Sequence, residues 1–450
     1  MNRILSWLDW FAQRFKDQPD KVDRDTLILS QMSPLTVPAP PPIHETVLAS
    51  RTQAILFRQI VPPNHDPAHL SFFGGLPIAP SGFQWPRGEA KPHTFIMQLD
   101  CSAVPADGRL GIFPDDGVLY VFLDLAWMGK EDYRTGMPAG TFRVIYEPGP
   151  VQGWAEITSP DDLPHAFTHK RTWKWPQSDA DWPRLLPKWP FDPVLIQGGP
   201  LPDDEEEFEH SYCWPGAINP NKAIPAIEGT VVPFRDWYKR HKTRKDRRPF
   251  DGFPHDWNAV RITTGLIAAQ ACNRYVFSYL SDEEFAAKVS EAQVGLRHWS
   301  DRALAAAPFD EVPPAERDHF WSWIQENEWL TGLPIIYASD LTVEASLSVG
   351  PEAAARIPLD VIDYIRCRHV LACQTETELH LNIPDRMLAP PVDVQGTIDD
   401  RVREFLLLLE LSSNEGLAHY FAEGVYQFWI RPDDLAARRF DRVELSTTAY

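Results

Sequence analysis

Two hexapeptides far apart in the chain constrain its fold more than any other feature. FIMQLD (residues 95–100) and FLLLLE (405–410) align without a gap, each running from Phe through large side chains to an acid. In both places a second apolar run follows a short connector, GVLYVF from Gly117 and GVYQFW from Gly424. Short apolar runs bounded by Gly, Pro and acids read as buried strands. Their recurrence predicts an internal duplication: strand, acidic end, loop, glycine, second strand, once near each end. Chance similarity between hydrophobic strands is the competing explanation. The expected fold is α+β, with two strand-rich, internally duplicated lobes and a cleft between them where a ligand would bind.

Composition narrows the rest. A chain of 450 residues has room for several domains or one elaborated domain. Its 43 prolines and 17 tryptophans argue for short strands and stiffened loops, because Pro fixes φ and removes a backbone donor. The formal charge of −20 opposes general binding to nucleic acid or anionic membranes and favours solubility or a basic partner. Five scattered cysteines, an odd number, fit a reducing cytoplasmic compartment better than a disulfide framework. No apolar stretch reaches the roughly 18 residues of a membrane span.

Five segments follow. Residues 1–43 pair an amphipathic helix, with Ile4, Leu8, Phe11 and Phe15 at helical spacing, with a Pro-rich connector. That helix is expected to pack on its own domain or to dock on a membrane surface or partner. Residues 44–150 form the first lobe, with strands over 94–100, 117–125 and 141–146. Residues 151–256 form an insertion rich in Trp-Pro and charge, with little periodicity. Residues 257–380 form a helical insertion, marked by Ser281 and Glu284 in capping-box spacing and by PPAER at a helix-compatible first turn. Residues 381–450 return to strands as the second lobe.

The chain resembles the YwqG-like family, a bacterial domain of unknown function. The resemblance rests on GGLPIAPSGFQWP (74–86), FIMQLD (95–100), GVLYVFLD (117–124), MLAPPVDVQ (387–395) and GVYQFWIRPDDLAARRFDRV (424–443). It implies an α+β fold with duplicated lobes and no known activity. It also marks Trp85, Gln98, Asp100, Gln395 and Glu410 as motif positions. Ala389 stands where the pattern has Gly, Asp385 where His is common, Leu408 for Gln and Glu410 for Asp. The first-lobe motif is intact; the central and second-lobe motifs diverge.

Few residues carry a chemical signature. Asp100 and Glu410 end the two related strands, so facing lobes would bring two acids together for acid/base work; a strand-end acid also commonly caps a turn. Trp85 begins a series of Trp-Pro pairs that serve either as loop anchors or as an aromatic ligand surface. Gly74-Gly75-Leu76-Pro77 lacks the phosphate-cradling pattern and reads as a turn. His65/His69, His165/His169 and Cys367/His369/Cys373 have ligand-like spacings without a complete zinc motif, so neither metal nor cofactor is expected. The sharpest local anomaly is the basic run Lys239, Arg240, Lys242, Arg244, Lys245, Arg247 and Arg248. It reads as a loop paired with the acidic stretch 203–210, or as a phosphate or nucleic-acid patch. The leading expectation is a protein- or peptide-binding module, with a hydrolase using Asp100 and Glu410 as the alternative.

Overall fold

A computed structural model of the chain describes residues 44–64, 66–89, 91–125, 140–166, 184–197, 248–271, 280–368, 371–373, 379–381, 385–391, 400–412 and 424–449. All of them lie in one compact unit spanning Ile43–Tyr450. The amphipathic helix expected within residues 1–43 lies outside the described residues.

The strands are β1 (Gln53–Gln59), β2 (Phe72–Phe73), β3 (Ile78–Ala79), β4 (Thr94–Asp100), β5 (Val118–Leu123), β6 (Phe142–Glu147), β7 (Ala155–Glu156), β8 (Trp189–Gln197), β9 (Leu371–Cys373), β10 (Leu379–Leu381), β11 (Arg386–Met387), β12 (Leu406–Ser412), β13 (Gly424–Ile430) and β14 (Glu444–Ala449). Among the described residues, ten of them form a single sheet in the order β14-β13-β12-β11-β1-β8-β2-β4-β5-β6. The segments expected as two lobes therefore meet in one sheet, joined where β1 pairs antiparallel with β8. Burial explains why the apolar runs are unbroken: all six residues of β5, and all of β4 except Asp100, lose contact with solvent.

The register on the two sides of the centre follows one pattern. An irregularity falls between Phe95 and Met97 of β4, and another between Leu407 and Leu409 of β12. Gln98 lies opposite Tyr120, the third residue after Gly117; Glu410 lies opposite Gln427, the third after Gly424. Gly74 donates its N–H to the Ile96 carbonyl, and Leu388 donates to that of Leu407. By register the counterpart of Glu410 is Gln98, two residues before Asp100, so the ungapped alignment is slipped by two positions. Phe95 and Phe405 also differ: Phe95 lies within β4 against Phe72 and Phe122, whereas Phe405 precedes β12 beneath the Arg431 guanidinium.

Strand β8 arises in the stretch that shows little periodicity, and two prolines account for that. Pairing with β1 ends at Phe191, and β2 covers only Trp189 and Pro190. Phe191 donates to Ser71 on the β2 side, so Pro193, two residues on, faces that side beyond the end of β2. Pro190 faces the β1 side beyond the last pair. Both missing N–H groups thus fall where no strand asks for a donor.

The sheet coils until its ends approach. The Phe142 ring of β6 lies 5.9 Å from Phe428 of β13, and Tyr146 of β6 lies 5.4 Å from Phe440. Its concave side holds the main core, to which β4, β5, β8 and β12 all contribute. Two glycines fix the turns that feed it. A Cβ on Gly74 (φ +60) would stand 2.1 Å from the Pro187 carbonyl oxygen, and one on Gly117 (φ +77) 2.4 Å from that of Glu147.

The helices are α1 (Glu45–Ser50), α2 (Trp257–Ala271), α3 (Asp282–Ala305), α4 (Pro314–Glu326), α5 (Glu328–Val349), α6 (Pro351–Ala354), α7 (Leu359–Arg368) and α8 (Pro432–Ala436). Ser281 and Glu284 form the expected capping box at α3, and proline opens α4. Helices α3 and α4 cross closely at Gly295, where a Cβ would meet the Trp323 indole nitrogen at 2.0 Å. Among the described residues no helix is long and apolar enough to cross a membrane.

Candidate functional site

The first-half motif is built around Gln98. Its side chain is fully buried; Oε1 accepts from the Ile78 N–H at 2.8 Å and Nε2 donates to the Leu70 carbonyl at 2.8 Å. Tyr120 adds a hydroxyl bond to the Ile78 carbonyl at 2.7 Å. These bonds hold the Gly-Gly loop over the outer face of β4 and β5, where Phe72, Phe95 and Phe122 form a small apolar layer. Half-buried Trp85 closes the edge of that layer, its ring 5.5 Å from Phe122 and its Nε1 donating to the His93 carbonyl at 2.8 Å. Asp100 sits beyond, accepting from the N–H (2.9 Å) and hydroxyl (2.7 Å) of Ser102 and so capping a 3-10 turn over Cys101–Ala103.

The same face of the second half sets a polar group beside a small apolar cluster of Val402, Phe405, Leu407 and Trp429. Arg386 and Glu410 lie opposite each other on β11 and β12, both with no solvent exposure, with Nη2 and Oε1 2.6 Å apart. Gln427 donates to the second Glu410 oxygen at 2.9 Å, and Trp429 Nε1 donates to Ser446 Oγ at 2.8 Å. One residue before Arg386, the buried Asp385 carboxylate accepts from the Ser412 N–H at 2.7 Å and from its hydroxyl at 3.2 Å. Burial pushes the Asp385 carboxyl up to about 7, with the Glu410 charge adding to the rise against the two Ser412 bonds.

Asp100 and Glu410 do not converge. In the sheet order β2, β8, β1 and β11 stand between their strands, and each carboxylate faces its own local partners. Gln395 and the basic residues Lys239, Arg240, Lys242, Arg244, Lys245 and Arg247 lie outside the described residues. Arg248 reaches Asp318 of α4 at 3.4 Å and stacks 5.3 Å from the Trp321 ring. The acidic stretch 203–210 likewise lies outside the described residues. Among the described residues no three His, Cys, Asp or Glu side chains gather where a metal ion could sit.

Two features of the helical block escaped sequence reasoning. Ser346 of α5 bridges His255 Nε2 at 2.8 Å and Asp256 Oδ2 at 2.5 Å, while Asp256 also caps α2 through the Ala259 N–H at 2.7 Å. The Asp256 carboxylate also lies 3.4 Å from the same Nε2, so hydroxyl and carboxylate crowd one ring nitrogen, whereas a nucleophilic triad needs them on opposite nitrogens of the imidazole. All three side chains are closed to solvent, and burial holds His255 below the usual histidine range. The cluster pins α5 against the start of α2. The other feature begins one residue later. Leu347, with Ala354, Ile357 and Ile362, floors an apolar groove of about 380 Å³ whose rim includes Pro62, Pro351 and Leu359. Gly350 (φ +151) ends α5 and Pro351 starts α6, which folds the chain back to form the groove. Arg366 of α7 donates to the Val61 carbonyl at 2.9 Å, tying the Pro62-Pro63 wall to the helices.

A model of the family described as a domain of unknown function, DUF1963, matches residues 71–251 and 367–447, more than half of the chain. The chain belongs to the DUF1963 family. The DUF1963 match encloses every stretch that carries the sequence resemblance, Gln98 and Asp100 among them, and also Arg386 and Glu410. Residues 252–366, with the Ser346 cluster and most of the groove, fall between the two matched segments. A search among curated proteins finds no match.

Proposed function

We propose that this DUF1963 member is a cytoplasmic binding protein that takes an apolar segment of a protein partner into the groove of its helical block. The carrying observation is the placement of exposed apolar surface. Three large apolar side chains stand exposed among the described residues, Val294, Val349 and Leu359. Leu359, at 78 %, lines the groove, and Val349 immediately precedes its Gly350. Apolar surface clustered at the mouth of an apolar cavity is what a partner covers. The motif acids take architectural roles in this reading, Asp100 as a cap and Glu410 as half of an interior ion pair. The binding reading is favoured over the acid/base alternative by the local partners of the two carboxylates, Ser102 for Asp100 and Arg386 for Glu410.

Selection from a displayed random peptide library, with Leu359→Glu as the counter-selected variant, tests this. Apolar-rich peptides that bind the parent and not the variant are expected. A selection that returns no binder sensitive to Leu359→Glu overturns the reading; Leu359 is exposed enough for the variant to fold.

We further propose that the sheet arose by duplication of a five-stranded unit, with β1 and β8 exchanged between the halves. The matched irregularities in β4 and β12 support this, as do paired bonds across each junction: Phe57 donates to Asp385, and Phe191 to Ser71. The exchange places β8 beside β2 and β1 beside β11. A fragment ending at residue 166 lacks β8 and is expected to stay unfolded by circular dichroism. Cooperative unfolding of that fragment alone would remove the exchange.

A further inference from the structure

We infer that the groove's partner is a basic amphipathic segment, apolar where it enters and rich in Lys or Arg at its flanks; this rests on the binding reading above. The groove itself carries no charge. None of its lining residues, which include Pro62, Leu347, Pro351, Ile357 and Leu359, is ionisable, so any charge discrimination falls to the rim.

The rim holds two acids, one exposed and one half-buried. Glu352 of α6 is exposed beside Pro351, and Asp360 follows Leu359 in the first turn of α7. Two arginines lie nearby, Arg366 with 39 % of its side chain exposed, and residues 344–366 set four acids against them. Arg356 donates to the Phe309 carbonyl, and Arg366 donates to Val61 and pairs with Asp363. No Lys or His occurs between Glu344 and Arg366. Beyond the rim the whole chain contributes a formal charge of −20. An acidic partner would meet repulsion at the mouth and in the far field, and an uncharged one would gain nothing from either. A basic flank is drawn in by both, and the attraction is screened over about 8–10 Å at ordinary salt. The same net charge opposes anionic lipid and nucleic acid as occupants.

Two labelled 16-residue peptides share one core, with Leu at helical spacing, and carry Lys or Glu at both ends. Fluorescence anisotropy on the full chain at 50 mM and 500 mM salt compares them. The Lys peptide is expected to bind roughly ten-fold tighter at low salt, with the gap shrinking at high salt. Glu352→Lys should narrow the gap, and Leu359→Glu should abolish binding of both peptides. Equal affinity for the two peptides overturns the charge inference while leaving the groove reading in place. Absence of any Leu359-dependent binding removes the groove reading and this inference with it.

Discussion

Arg386 and Glu410 meet at 2.6 Å across β11 and β12 with neither side chain reaching solvent. Removing charges from water is costly, and the pair offsets that cost by mutual attraction, with Gln427 donating to the second Glu410 oxygen. Arg386→Met should leave Glu410 buried without its guanidinium and cost about 3–5 kcal/mol. Arg386→Met with Glu410→Leu should recover most of that loss. Urea unfolding of the two single variants and the double variant measures the coupling; a double variant as unstable as the sum of the singles would contradict it.

Gly74 and Gly82 separate backbone strain from steric exclusion. Both have positive φ, but a Cβ on Gly82 meets nothing within 4 Å. Gly82→Ala should cost about 1–3 kcal/mol from conformation alone. Gly74→Ala should cost clearly more, since the Pro187 carbonyl is backbone and must move. Thermal midpoints of the two variants rank them.

Asp385 makes stability fall as pH rises. Its carboxyl sits near 7 in the fold against about 4 in the unfolded chain. Between those values the folded state holds a proton that the unfolded state has lost, so stability declines from about pH 4 to pH 7 and then levels. Asp385→Asn keeps an oxygen for the Ser412 N–H and loses the charge. The variant should match the parent near pH 4 and exceed it at pH 8, by at most about 4 kcal/mol. Chemical unfolding at the two pH values decides it; an unchanged pH slope would refute the assignment.

His255 acts in the opposite direction. Burial lowers the pKa of its imidazole in the fold, so stability is lost as pH falls below the ordinary histidine value of about 6.5. Ser346→Ala removes the hydroxyl that joins His255 to Asp256 and should cost about 1–3 kcal/mol. Ser348→Ala, which loses only a bond to the Ala345 carbonyl one turn back, should be close to neutral. Hydrogen exchange at Ala259 and its neighbours in α2 should speed up in the Ser346 variant alone.

Residues 94–100 read as a strand and fold as one, because an apolar run bounded by turn residues is a local signal. The capping box at Ser281 and the proline opening α4 were legible for the same reason: each is satisfied within one helical turn. Strand β8 was not legible, since Pro190 and Pro193 are tolerated only through where its neighbours end. The second half misled more subtly. Its apolar run was clear, but matching acid to acid placed Asp100 opposite Glu410, whereas strand pairing matches Gln98.

Taken alone, the sequence determined the apolar strands near 94–100, 117–125 and 141–146, the capped start of α3, and a strongly negative net charge. Those properties depend on neighbours a few residues away or on a plain sum of charges. Only the tertiary structure decided that Glu410 is an interior ion partner, that Ser346 touches His255 across 91 residues, and that Leu347 and Ile362 floor one groove. Burial and pairing between distant segments are settled by how the sheet orders its strands and how helices pack on it, and no local pattern encodes that order.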